Sequence, residues 1–177
     1  MKAVIIGGGI IGLCSAYYLS EAGYEVTIID RSDLSDNCSY GNLGMIVPSH
    51  FVPLAAPGII SQGIRWMFDE KSPFYVKPAL NWNLISWGMK FMRSATAAKV
   101  EKAGPYLRDI NLLSRSLYEE LKALPGFDFS YERKGIMMYF RDHKTAEEEA
   151  HLAEKARSMG LEADTLRQSE VQLLEPE

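Results

Sequence analysis

The sequence carries little with which to hold a metal or a disulfide framework. Only Cys14 and Cys38 are cysteine among 177 residues, and the three histidines, His50, His143 and His151, are scattered. No C-x-x-C or H-E-x-x-H occurs, so the ligand spacings of common zinc sites are missing and no metal is expected. Cys14 reads as a small buried residue of a helix, and so few thiols fit a reducing cytoplasm. No basic cluster interleaved with aromatics occurs, and the net charge is −4, which argues against a nucleic-acid partner. A membrane span needs ~20 consecutive apolar residues, and Tyr17, Tyr18, Ser20 and Glu21 interrupt the best candidate. Internal repeats and low-complexity segments are absent. The composition, 47% hydrophobic and 24% charged, is that of a soluble globular protein with room for one core, or one and a small part.

The informative stretch is the first thirty residues. Ala3 to Ile6 is a short apolar run, followed by Gly7, Gly8, Gly9, Ile10, Ile11 and Gly12. Leu13 to Ala22 reads as a helix, Gly23 closes it, and Tyr24 to Ile29 is a second β-rich run ending in Asp30. Gly7, Gly9 and Gly12 thus fit G-x-G-x-x-G in a strand, turn, helix, strand, acid context, which marks a dinucleotide-binding unit. Gly7 permits the tight turn, Gly9 lets a pyrophosphate approach the backbone, and Gly12 lets helix and strand lie close. The helix N-terminus, with its free amides, favours phosphate charge. Asp30 is placed to accept from both ribose hydroxyls and to repel a 2′-phosphate, which disfavours NADP. The rival reading is a secretory signal, with Lys2, an apolar run and small residues. A glycine triplet is poor in a signal helix, the run leads directly into a β-strand, and bulky Leu13 before Cys14 spoils a lipoprotein-like cleavage site.

After a polar loop from Arg31 to Cys38 come Ser39, Tyr40, Gly41, Asn42, Leu43, Gly44 and Met45. Two glycines and an asparagine so close fit a backbone passing near a ligand and a surface turn equally well. From Pro53 to Phe68 prolines give way to a helical face of Ile60, Ile64, Met67 and Phe68, and Lys71 to Pro78 reads as extended. Asn81 to Ala95 reads as a helix whose aromatics and methionines are expected in a core. A membrane-surface helix should show a basic polar face, and Lys90, Arg93 and Lys99 give only a modest one. Gly104 and Pro105 are expected to open a long helix ended by Pro125 and Gly126. Phe127 to Tyr131 and Gly135 to Phe140 read as strands of a second sheet, and Leu161 to Leu166 as a short strand. Lys144 to Met159 reads as an amphipathic helix stopped by Gly160, with a turn around Ser169 to Leu174.

The opening turn, the loop SYGNLG, and the segments VPSHFVPLAAPGIISQGIRWMF and SPFYVKPALNWNLISWGMKFMRSAT together resemble the small-subunit family of bacterial D-amino-acid dehydrogenases. That family lies within the D-amino-acid oxidase and glycine oxidase group of FAD proteins. The resemblance continues more loosely through GIMMYF and the terminal LLEPE. It implies an α/β fold: a Rossmann-like FAD-binding βαβ unit in residues 1–50, then part of a mixed α+β substrate-side domain in residues 51–177. Only two strands precede the second region, so the sheet is expected to be incomplete and the chain to be the N-terminal part of a longer layout, with self-association or a missing C-terminal half as its partner.

The cofactor site implied by the resemblance comprises Gly7, Gly9, Ile10, Ile11, Gly12, Asp30, Arg31, Ser39, Asn42, Gly44 and Met45. Gly41 stands where related sarcosine-type dehydrogenases carry a flavin-linking histidine, which implies non-covalent FAD. Asp30 departs from the more usual glutamate. The implied activity is oxidation of the C–N bond of a D-amino or imino acid by hydride transfer to flavin, with electrons passed to a quinone or other respiratory acceptor. His50 and Tyr139 are the substrate-side candidates, and no residue is assigned a catalytic role. The expected location is the cytoplasm, with attachment at the inner face of the cell membrane as a variant. An NAD-linked dehydrogenase and a non-catalytic dinucleotide-binding fragment are the alternatives.

Overall fold

The computed structural model describes residues 1–58 and 81–176. They form two compact units, Met1–Met45 and Ile46–Glu177. The helical reading beyond residue 58 and the extended reading of Lys71 to Pro78 lie outside the described residues.

The first unit is the expected strand–helix–strand. β1 (Lys2–Ile6) pairs in parallel with β2 (Glu25–Ile29), Lys2 opposite Glu25 and Ile6 opposite Ile29. α1 (Ile10–Glu21) connects them. Parallel strands cannot be joined by a tight turn, so the crossover helix follows from the pairing. Alternation along the strands turns Ala3, Ile5, Val26 and Ile28 inward, and Ile5 meets the helix at Gly12. On the opposite face Val4 is 63% exposed, Ile6 87% and Ile29 53%. Gly23, at φ +82°, ends α1, its amide donating to the Ser20 carbonyl at 2.9 Å, as a left-handed glycine commonly does.

The second unit is helical. α2 (Trp82–Ser94) is capped by Asn81, whose Oδ1 accepts from the amides of Asn83 at 2.7 Å and Leu84 at 3.3 Å. α3 (Ala97–Ala123) and α4 (His143–Ser158) follow, then the short α5 (Gln168–Leu174). Asp142 caps α4, accepting from the Thr145 amide at 2.9 Å and its hydroxyl at 2.8 Å. The core lies around Phe51, Val100, Leu121 and Ala156. A β-carbon at Gly104 would sit 2.9 Å from Met159 Cε, so the missing side chain lets the end of α4 approach α3. Arg108 donates to the Met159 carbonyl at 2.7 Å, and Lys155 pairs with Glu101 at 2.8 Å.

Four expectations change here. α3 starts at Ala97, capped by Thr96, and Pro105 lies inside it. An interior proline removes one helical hydrogen bond and costs about 3 kcal/mol; burial of Val100 and Gly104 beside it favours continuing the helix. The stretches Phe127 to Tyr131 and Gly135 to Phe140 form no strand, and neither does Leu161 to Leu166. A strand needs a partner for its amides and carbonyls, and among the described residues none pairs with them. Instead the first stretch folds back on α3: the Tyr131 hydroxyl donates to Glu119 at 3.3 Å and the Phe129 ring meets Tyr118 edge-on at 6.2 Å. Finally, α2 contributes no buried residue to a core among the described residues, with Trp82 73% exposed; its Trp87 and Phe91 rings stack on each other at 5.3 Å.

Candidate cofactor site

The site is built where β1 hands over to α1. The Gly7 amide donates to the Ile29 carbonyl at 2.8 Å, extending the ladder by one step. At φ +105° Gly7 then turns the chain through backbone space that favours glycine. A β-carbon on Gly12 would lie 1.9 Å from the Gly7 carbonyl oxygen and 3.4 Å from Ile5 Cγ2. The close approach expected at Gly12 is thus to the main chain of the turn itself as well as to the strand.

Gly9 is the N-cap residue of α1 and has no side chain with which to cap it. The Ser39 hydroxyl takes that role from a distant loop, accepting from the Ile10 amide at 2.9 Å. Ser39 sits on a short 3-10 turn, Cys38–Gly41, capped by Asn37, whose Oδ1 accepts a hydrogen bond from the Ser39 amide at 2.9 Å. A β-carbon on Gly9 would come 3.1 Å from Ser39 Oγ, so this glycine makes room for the serine. Among the described residues the amides of Gly9, Ile11 and Gly12 have no hydrogen-bond partner. Open amides at a helix N-terminus, reached over glycine, are the donor set that a pyrophosphate takes.

Asp30 closes the other side. Its Oδ2 accepts from the Gly8 amide at 2.7 Å, and its Oδ1 accepts from the Ser32 amide at 2.8 Å and the Ser32 hydroxyl at 2.9 Å. The Gly8 amide, then the Ser32 amide and hydroxyl, hold the carboxyl below its ordinary pKa of 3.8, with a smaller contribution from Arg31. Because the folded pKa is depressed, the stability it contributes is present above that ordinary value and is lost as pH falls through the folded pKa. The sequence places Asp30 to accept from both ribose hydroxyls; in the structure both of its oxygens already accept from the protein.

Of the other expected contacts, Ile11 is 83% exposed, Arg31 is exposed and Met45 is 56% exposed. Asn42 Oδ1 accepts from the Gly44 amide at 2.7 Å, and Gly44 turns at φ +62°. His50 and Tyr139 belong to the second unit. His50 is exposed, its amide bonded to the Val47 carbonyl at 3.0 Å; Tyr139 is 68% exposed on an irregular stretch. Sequence reasoning passed over Gly8, Ser32, Leu34 and Asn37. Gly8 is buried, and a β-carbon there would lie 2.1 Å from Leu34 Cδ2; Leu34 itself holds φ 71°. The middle glycine of the triplet was the available signal.

Comparison with known proteins shows the family of the chain. The family described as FAD dependent oxidoreductase (DAO) matches residues 2–177. The D-amino acid dehydrogenase of Neisseria meningitidis serogroup C (strain 053442) is 32% identical over 148 residues, 83% of this chain and 35% of that protein. One from Vibrio vulnificus (strain CMCP6) is 32% identical over 81% of this chain and 35% of its own length. One from Cereibacter sphaeroides (strain ATCC 17029 / ATH 2.4.9) is 33% identical over 168 residues, 94% of this chain and 38% of its own length. The chain therefore spans little more than a third of these relatives, their N-terminal part. No solved structure matches it.

Proposed function

The chain belongs to the DAO family of FAD-dependent oxidoreductases, and from that premise we propose that its first unit binds the ADP portion of FAD, non-covalently, within an enzyme that oxidises the C–N bond of a D-amino or imino acid. The observation that carries the reading is the turn at Gly7 to Gly12, where a main-chain oxygen takes the place of any side chain at position 12 and three amides stand open. Gly9, Ile11 and Gly12 would hold the pyrophosphate; Ser39, whose oxygen already accepts from Ile10, keeps its own hydrogen to donate to a phosphate oxygen. Asp30 faces the ribose side, and Asn42, Gly44 and Met45 would follow the flavin. Flavin, when bound, supplies the two-electron redox chemistry. His50 and Tyr139 are the residues proposed toward the substrate.

The names of the curated relatives support an amino acid as substrate, and a quinone or other respiratory acceptor is proposed for the electrons. The cytoplasm is the proposed location, with attachment at the inner membrane face as the variant; among the described residues no helix is long and apolar enough to cross a membrane. The open apolar face of the β1–β2 pair supports association with further protein.

The test is a visible spectrum of the 177-residue chain equilibrated with FAD and desalted, then acid-precipitated. Retained flavin that appears in the acid supernatant supports the reading; flavin left in the pellet overturns non-covalent binding. Uptake of NAD but not FAD overturns the cofactor. Bleaching by anaerobic D-alanine would extend the reading to the substrate class.

A further inference from the structure

Asp30 is more heavily engaged than a ribose acceptor has reason to be. A carboxylate offers about four acceptor positions, and three are filled by the Gly8 amide, the Ser32 amide and the Ser32 hydroxyl. Two of those donors lie in the loop after β2. The third is the middle residue of the glycine turn, 22 positions earlier. The Ser32 hydroxyl passes the connection on, accepting from the Leu34 amide at 3.3 Å, and Leu34 covers Gly8. A closed circuit results: Gly8 to Asp30, Asp30 to Ser32, Ser32 to Leu34, and Leu34 back onto Gly8.

We propose that Asp30 is a positioning residue that clamps the glycine turn to the end of β2 in its ligand-ready shape, and that it keeps this grip when a nucleotide binds, leaving the ribose a single acceptor position. The second half rests on the nucleotide-binding reading; the first does not. Glycines are free to take many backbone conformations, so a triplet of them gives a turn that needs holding. The Asp30 bond to Gly8 fixes the middle of the triplet, while the ladder bond from Gly7 and the helix bond accepted by Gly9 fix its two ends.

The test follows the Gly8 amide by residue-resolved hydrogen exchange in the full chain, without ligand and with saturating ADP as the probe. Without ligand the amide is expected to be protected, and Asp30→Ala to speed its exchange at least tenfold. Asp30→Asn, which keeps one acceptor oxygen, should restore part of that protection although it too lacks the charge. Should Asp30→Ala fail to fold, Ser32→Ala, which removes one of the three bonds and leaves the carboxylate, should speed the Gly8 amide by about threefold. Gly8 is buried, so burial alone would keep exchange slow whatever stands at position 30; equal rates in the parent chain and the variants overturn the clamp. With ADP bound, continued protection supports the shared grip, and acceleration of Gly8 overturns it by showing that the ribose takes the carboxylate away. If ADP perturbs no amide, the nucleotide-binding reading fails and the shared grip falls with it, while the ligand-free rates still decide the clamp.

Discussion

The two units reach order by different means. Among the described residues every buried apolar side chain, Phe51, Val100, Leu121 and Ala156, belongs to the second unit. The first unit buries only Gly8. Its shape rests on main-chain bonds, on glycines and on a few polar side chains that reach amides across the turn. A side-chain core tolerates exchange of one apolar residue for another of similar volume. A main-chain device has no such latitude, since its contacts are atoms that every residue carries. The nucleotide site proposed above lies in the first unit, and a shape held by the main chain suits a ligand recognised largely through backbone donors.

That contrast can be broken by substitutions made in each unit. The largest effect is expected from Phe51→Ala: Phe51 is fully buried, and such truncations cost about 4 kcal/mol. Chemical denaturation should show the loss in the second unit, with FAD uptake by the first unit retained if the two are independent. Gly12→Ala should come next. Alanine favours a helix by about 1 kcal/mol over glycine, but its β-carbon would lie 1.9 Å from a carbonyl oxygen. A net loss of about 2 kcal/mol and no measurable FAD uptake are expected; unchanged uptake would refute the geometry of the turn.

Gly104→Ala is the matched change in the second unit. There the obstructing atom is the end of the flexible Met159 side chain, at 2.9 Å, so about 1 kcal/mol or less is expected, read from the thermal midpoint. Asp142→Ala should lower the thermal midpoint slightly by removing a helix cap. The Asp142 pKa is lowered chiefly by the Thr145 amide and hydroxyl. The cap is therefore fully present above the ordinary value of 3.8 and fades as pH falls through the folded pKa, where parent and variant should converge. Smallest is Glu101→Gln, which removes the pair with Lys155; with Glu101 72% exposed, about 0.5 kcal/mol or less is expected, and added salt should erase it.

Much of this was legible in the sequence, and the failures share a cause. The glycine turn, both strands and α1 follow from spacing, α2 from its run rich in aromatics and methionines, and α4 from an amphipathic run stopped by Gly160. These are local signals, complete within a few residues. Pro105 misled because a proline after glycine resembles a helix start, whereas the choice was made by burial of Val100 and Gly104, which depends on what α3 meets. The stretches from Phe127 to Phe140 misled because β-propensity describes a residue's fitness for a ladder and says nothing of whether a partner strand is there. Asp30 was found and its partners were not. The bonds to Gly8 and Ser32 arise from how the loop returns over the turn, a matter of three-dimensional path that spacing leaves open. Ser39 was reached by resemblance, and its reach to the helix amide became visible only with coordinates.

The β-carbon that cannot be placed at position 12 also bears on descent. At position 8 the neighbour is a leucine side chain, and a lineage that shortened Leu34 would open that space to a larger residue. At position 12 the neighbour is a main-chain oxygen, which no mutation anywhere in the gene removes. Drift at the one position can be accommodated by drift at its companion; the other is handed down unchanged or the turn goes with it.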